Sequence, residues 1–100
     1  MLAEFTVYPL GKSKGLSEEV AKAIRIVEDS GLDYEFTAMG TILEGDYDQI
    51  METIKKCHHV IRKDHSRVET YIKIDDKVGQ RGQLKHKTRA VREQVSEDPR

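Results

Sequence analysis

Tyr34-Glu35-Phe36-Thr37-Ala38-Met39-Gly40-Thr41-Ile42-Leu43-Glu44-Gly45 is the stretch around which this chain is organised. Tyr34 and Phe36 alternate with Glu35 and Thr37, which is the period of a strand, and Gly40 supplies a permissive position where the chain can reverse. Thr41-Ile42-Leu43 returns before Gly45 breaks the run. The stretch reads as a β-hairpin set between two segments of helical periodicity. Thr37 and Thr41 bracket its turn, and their faces depend on the turn length, because a slip of one residue inverts every side chain.

Toward the N-terminus, Ala3, Phe5 and Val7 alternate with Glu4, Thr6 and Tyr8, and Pro9 ends that strand because it lacks the amide a ladder needs. A loop from Gly11 to Gly15 leads to Ser17, read as an N-cap, with Glu18 and Glu19 at the positive end of a helix. Val20, Ala23, Ile24 and Val27 give that helix one apolar stripe to about Ser30, and Gly31 is its stop. Beyond the hairpin, Asp46 is a cap with Gln49 three residues on, and the stripe Tyr47, Ile50, Ile54, Cys57 and Ile61 predicts a second helix. Val68 to Ile74 is the last strand.

The order strand, helix, strand, strand, helix, strand leaves few topologies, and the leading one is the ferredoxin-like βαββαβ sandwich. That is an α+β fold with a four-stranded antiparallel sheet and both helices on one face. Lys77 to Arg92 then holds six basic residues and no acid. Leu84, Thr88, Val91 and Val95 in this segment predict a short C-terminal helix over about 84–94.

At 100 residues the expectation is one domain, with its core over about 2–78 and a basic helix or arm over 79–100. A net charge of −1 gives the chain as a whole no bias toward nucleic acid or anionic membrane. The single cysteine, Cys57, excludes an internal disulfide framework, and no apolar run is long enough for a signal peptide or a spanning helix, so a cytoplasmic protein is expected.

Strand parity places Ala3, Phe5, Val7, Thr70, Ile72 and Ile74 toward the helices and leaves Glu4, Thr6, Tyr8, Glu69, Tyr71 and Lys73 on the open face. That polar yet aromatic face suits an interface between subunits. The competing reading is a solvated surface with cross-strand pairs such as Glu69 with Lys73. Cys57, His58, His59 and His65 raise a metal reading, but helical zinc pairs sit at i,i+3 or i,i+4 and Cys57 belongs to the core stripe; no metal is expected. No nucleophile has an evident base and orienter, so no catalytic residues are assigned. Lys12 and Lys14 ahead of a helix suggest an anion cradle, against which Glu18 and Glu19 would repel a phosphate.

Three stretches, Glu4-Phe5-Thr6-Val7-Tyr8-Pro9-Leu10-Gly11, Met39-Gly40-Thr41-Ile42-Leu43-Glu44-Gly45 and Ile72-Lys73-Ile74-Asp75-Asp76, together resemble the small thiamine-binding protein family related to the YkoF proteins. The resemblance implies a ferredoxin-like fold, homo-oligomers (dimers or tetramers), and non-enzymatic binding of thiamine or its hydroxymethylpyrimidine portion, with no cofactor. The basic segment 77–92 departs from the family's usual ending. On this resemblance the ligand-binding candidates are Glu4, Thr6, Thr37, Thr41 and Lys73. Glu4 and Thr6, at i and i+2, reach the same space, where a carboxylate suits a protonatable aminopyrimidine. Two other readings are a nucleic-acid module using the basic segment and a metabolite-sensing oligomerisation domain. The first lacks the strand-three aromatics that stack bases, since Thr41-Ile42-Leu43 stands there.

Overall fold

A computed structural model describes residues 1–11, 16–79, 81–84 and 91–95. Its elements are β1 (Leu2–Pro9), α1 (Leu16–Asp29), β2 (Asp33–Thr37), β3 (Gly40–Glu44), α2 (Tyr47–Arg62) and β4 (Val68–Asp75). The four strands form one sheet in the order β2-β3-β1-β4, with every neighbouring pair antiparallel. This is the ferredoxin-like arrangement, with β1 and β3 central. Residues 83–84 and 91–95 are helical, in keeping with a short C-terminal helix. The loop with Lys12 and Lys14, where a turn rather than an anion cradle is expected, and residues 85–90 of the expected C-terminal helix lie outside the described residues.

Register fixes which side chains share a face. Phe5 stands opposite Thr41 and Ile72, and Ala3 opposite Leu43 and Ile74, so these point to one side; Glu4 stands opposite Ile42 and Lys73 on the other. Both helices cover the first side. Ala3, Phe5, Val7 and Leu43 meet Ala23 and Val27 of α1 and Ile50, Ile54, Cys57 and Ile61 of α2 in one buried cluster. Val27, Leu43, Ile50 and Ile61 are fully buried, and each such aliphatic side chain contributes about 1.5–3 kcal/mol through removal from water.

Several local expectations need correction. Ser17 lies inside the first turn of α1 rather than capping it, since the helix begins at Leu16. Asp46 is the N-cap of α2, but its side chain makes no capping hydrogen bond; the helix opens with Ile50 N–H donating to Asp46 C=O at 3.0 Å. Tyr47 is not part of the buried stripe: it sits at the first helical position, beyond the edge of the core, and is exposed. Ile72 and Ile74 face the helix side as parity requires, yet remain 41% and 42% exposed, because α2 lies over β1 more than over β4. Gly31 does stop α1, with a left-handed φ of 77° that an L residue rarely adopts.

β2 is an edge strand. Its Asp33 and Glu35 place charge along that edge, which discourages unwanted strand pairing. No helix among the described residues is long and apolar enough to cross a membrane.

Candidate functional site

The hairpin turn, residues 37–40, is built by its threonines. Thr37 Oγ1 donates to Gly40 C=O at 2.8 Å and accepts from Met39 N–H at 3.1 Å, closing the turn with one side chain. Thr6 Oγ1 donates to Met39 C=O at 3.2 Å, tying the turn to β1. Gly40 is required by proximity: a Cβ there would stand 3.0 Å from Thr6 Oγ1 and 3.1 Å from Phe5 C=O. The turn therefore lies tightly against β1, whereas α1 hardly reaches β2.

That mismatch opens a crevice of about 150 Å³ on the helix side of the sheet. Phe5, Val7 and Thr41 form its floor, Val20, Ala23 and Ile24 its α1 wall, and Phe36 to Gly40 its hairpin wall, with Thr6 at the rim. Among the described residues no charged side chain lines it. Thr41 is 6% exposed, lines the crevice and makes no side-chain hydrogen bond among the described residues, so its hydroxyl is open to a ligand there. Phe36 and Met39 stand at the mouth, 55% and 83% exposed.

The sequence-derived candidates thus divide. Thr6, Thr37 and Thr41 come together at the crevice, although Thr37 and Thr6 already spend their hydroxyl protons on the turn. Glu4 and Lys73 lie across from each other on the open face and do not line the crevice. Thr41 does not share their face, because the turn length sets it opposite Phe5 and Phe36. Phe36, Val20, Ala23 and Ile24 were not among the candidates. The small Ala23 in an otherwise branched stripe is the sequence signal that could have indicated space beneath α1.

The open face carries a second polar arrangement. Tyr8 and Tyr71 stack with ring centroids 6.1 Å apart and 16° between planes, and both hydroxyls donate to Glu69 Oε2, at 2.8 and 2.9 Å. The Tyr8 hydroxyl bond, then that of Tyr71, holds the Glu69 carboxyl below the usual glutamate range. Tyr8 is pushed the other way, above its ordinary value, chiefly because ionising would break its bond to Glu69. Glu69 is therefore engaged with the tyrosines rather than with Lys73.

The crevice's α1 wall is held by a charged clamp. Lys22 Nζ bridges Glu19 at 3.0 Å and Asp64 at 3.2 Å, while Glu19 Oε2 faces His65 Nε2 at 3.2 Å. The Lys22 contact is the main reason that both Glu19 and Asp64 sit below their ordinary carboxylate values. Among the described residues no group of three or more His, Cys, Asp or Glu side chains could hold a metal ion: His58 Nδ1 meets Thr70 Oγ1 at 2.6 Å, and its ring meets that of His59 edge-on at 5.6 Å. Cys57 donates to Ala23 C=O at 3.5 Å, and burial pushes its thiol up to about 11.

Residues 3–92 match the family described as "Thiamine-binding protein". The chain belongs to that family. A UPF0045 protein of Methanocaldococcus jannaschii is 37% identical over 93 residues, covering 93% of each chain. One from Methanothermobacter thermautotrophicus is 40% identical over 96 residues, covering 93% of this chain and 97% of its own. The crystal structure of the Methanocaldococcus jannaschii protein superposes with a TM-score of 0.84, covering 92% of this chain and 95% of that one. A Thermotoga maritima protein, proposed to serve thiamine biosynthesis or salvage, has the same fold at a TM-score of 0.75 and 24% identity, covering 88% of this chain and 96% of that one.

Proposed function

We propose that the chain binds thiamine or its aminopyrimidine portion without transforming it, in the crevice beneath the β2–β3 hairpin, and does so as a homo-oligomer. Membership of a thiamine-binding family supports the ligand class. The observation that carries the location is the Thr41 hydroxyl, which makes no hydrogen bond among the described residues, on the floor of a cleft whose described lining is uncharged. A flat heteroaromatic ring slides between Phe36 and the aliphatic wall of α1, and a ring nitrogen or exocyclic amine meets Thr41.

The volume supports the oligomer. At about 150 Å³ the crevice holds one ring, less than the roughly 300–1,000 Å³ typical of sites that enclose a whole ligand. A two-ring ligand would extend past Phe36 and Met39, whose exposed apolar surfaces a neighbouring copy would close. Glu4 and Lys73 on the open face would then act, if at all, from the other side of the sheet. None of the groups assigned here has a nucleophile's geometry, and the proposed role is binding.

Calorimetric titration of the wild type, Thr41→Val and Glu4→Gln with thiamine and with hydroxymethylpyrimidine tests the reading. Thr41→Val keeps the shape and removes one hydrogen bond, worth about 0.5–1.5 kcal/mol, so affinity should fall roughly two- to tenfold. Glu4→Gln should bind as the wild type does. Loss of affinity in Glu4→Gln alone would move the site to the open face, and no binding of either compound by the wild type would end the proposal.

A further inference from the structure

The two edges of the sheet are unlike. β2 is five residues long and sets Asp33 and Glu35 along its edge, whereas β4 is eight residues long, pairs with β1 in unbroken register from Val68 to Asp75, and has no proline and no bulge. Among the described residues no strand lies on its outer side. A long, regular edge without such interruptions is one that proteins ordinarily protect. The side chains along it are equally unspent. Tyr71, Ile72 and Ile74 are 59%, 41% and 42% exposed, and Lys73 makes no ion pair or hydrogen bond among the described residues. Glu69 accepts both tyrosines on Oε2, and among the described residues its Oε1 has no partner.

We infer that β4 pairs antiparallel with β4 of a second copy of this chain, about a two-fold axis at Tyr71, and joins the two four-stranded sheets into one. The side chains choose the register. Directly opposed residues of an antiparallel pair point to the same face, so the axis has to pass through a residue and not between two. Placed on Tyr71, it sets Glu69 against the partner's Lys73 twice over, Tyr71 against its own copy, and Val68 and Thr70 against the partner's Ile74 and Ile72 on the helix side. Moving it to Ile72 opposes Glu69 to the partner's Asp75, and moving it to Thr70 opposes Arg67 to the partner's Lys73. Like charges directly opposite are destabilising. Tyr71 already stacks on Tyr8, so the pairing continues that stack across the axis. It also covers part of Ile72 and Ile74, which α2 leaves bare because it lies over β1 more than over β4. The occupant is a second copy because the strand's pattern is complementary to itself. The hairpin lies at the opposite edge, so the crevice mouth stays free.

This rests on the reading that copies of the chain associate, and the test separates the two. Full-length wild type, Lys73→Glu, Glu69→Lys and an equimolar mixture of the two variants are compared by sedimentation equilibrium, with circular dichroism confirming that each is folded. Each variant alone opposes like charges twice across the axis and should associate roughly tenfold more weakly or worse. The mixture should regain association, because each opposed pair then carries opposite signs. Glu69→Lys also gives up the tyrosine bonds, so the register is read a second way, by disulfide formation under mild oxidation. Tyr71→Cys places its thiol opposite its own copy and should cross-link, whereas Ile72→Cys, about 7–8 Å from its copy on the diagonal, should not. Cys57 is buried and stays out of the reaction. A wild type that stays monomeric overturns both readings. Where the wild type associates, single variants that keep its mass, a mixture that does not associate, or Tyr71→Cys without a cross-link overturn the edge pairing alone and leave association to another surface.

Discussion

Glu69 is held in its ionised form by two tyrosines. Two tyrosine hydroxyls donate to one of its oxygens and hold its carboxyl below the usual range. A carboxyl depressed in the folded state stabilises the fold fully above its unfolded value, about 4.3 for glutamate, and that contribution fades as pH falls through the lower folded value. Glu19 and Asp64, held down by Lys22, act in the same direction. Glu69→Gln should therefore lower the melting temperature at pH 7, by a margin that narrows as the pH falls below the unfolded value. A deficit that persists undiminished at pH 3 would show that the tyrosine bonds are not charge-assisted. At this scale the sequence was legible on β1, where Pro9 ends a clean alternation and every side chain took its expected face. Thr41 was not legible, because its face followed from a turn length that only the Thr37 and Gly40 geometry determines.

Elements were read most reliably where a stripe is long. Ile50, Ile54, Cys57 and Ile61 recur at helical spacing and are all buried in α2, whereas Tyr47, at the same period, falls outside because the helix begins there and its first turn overhangs the core. Ile50→Ala should cost about 2–5 kcal/mol, since it empties a fully buried position, while Tyr47→Ala should stay within about 0.5 kcal/mol. Chemical denaturation of both variants with a common m-value checks this; equal costs would mean that Tyr47 is covered in the assembled protein. Helix starts were read less well. Ser17 has the chemistry of a cap but lies within α1, and Asp46 occupies the cap position without bonding through its side chain, so in both helices packing overrides the local preference. The space beneath α1 was invisible in sequence because it arises from two elements failing to meet.

Across the whole molecule, one sheet face carries the core and the other carries six carboxylates, exposed Tyr71 and half-buried Ile42. A sheet with one face on helices can leave the other in water when that face is polar, and the composition alone could not decide between a solvated face and an interface. If copies associate as proposed, mass action makes stability depend on protein concentration. For a dimer that unfolds to two chains, each tenfold dilution removes about 1.4 kcal/mol. A two-chain unit of this size shifts by roughly 2–4 °C per kcal/mol, so a hundredfold dilution should lower the melting temperature by about 5–10 °C. Saturating the crevice with ligand raises the melting temperature at each concentration, by about 2.7 kcal/mol of stability at a hundred times the dissociation constant. On the proposal that a neighbour closes the crevice mouth over Phe36 and Met39, the ligand-induced rise should shrink on dilution. Scanning calorimetry at two protein concentrations, with and without thiamine, reads both effects together. A melting temperature independent of dilution would leave the open face to solvent, and a ligand-induced rise that is equal at both concentrations would place the whole site within one chain.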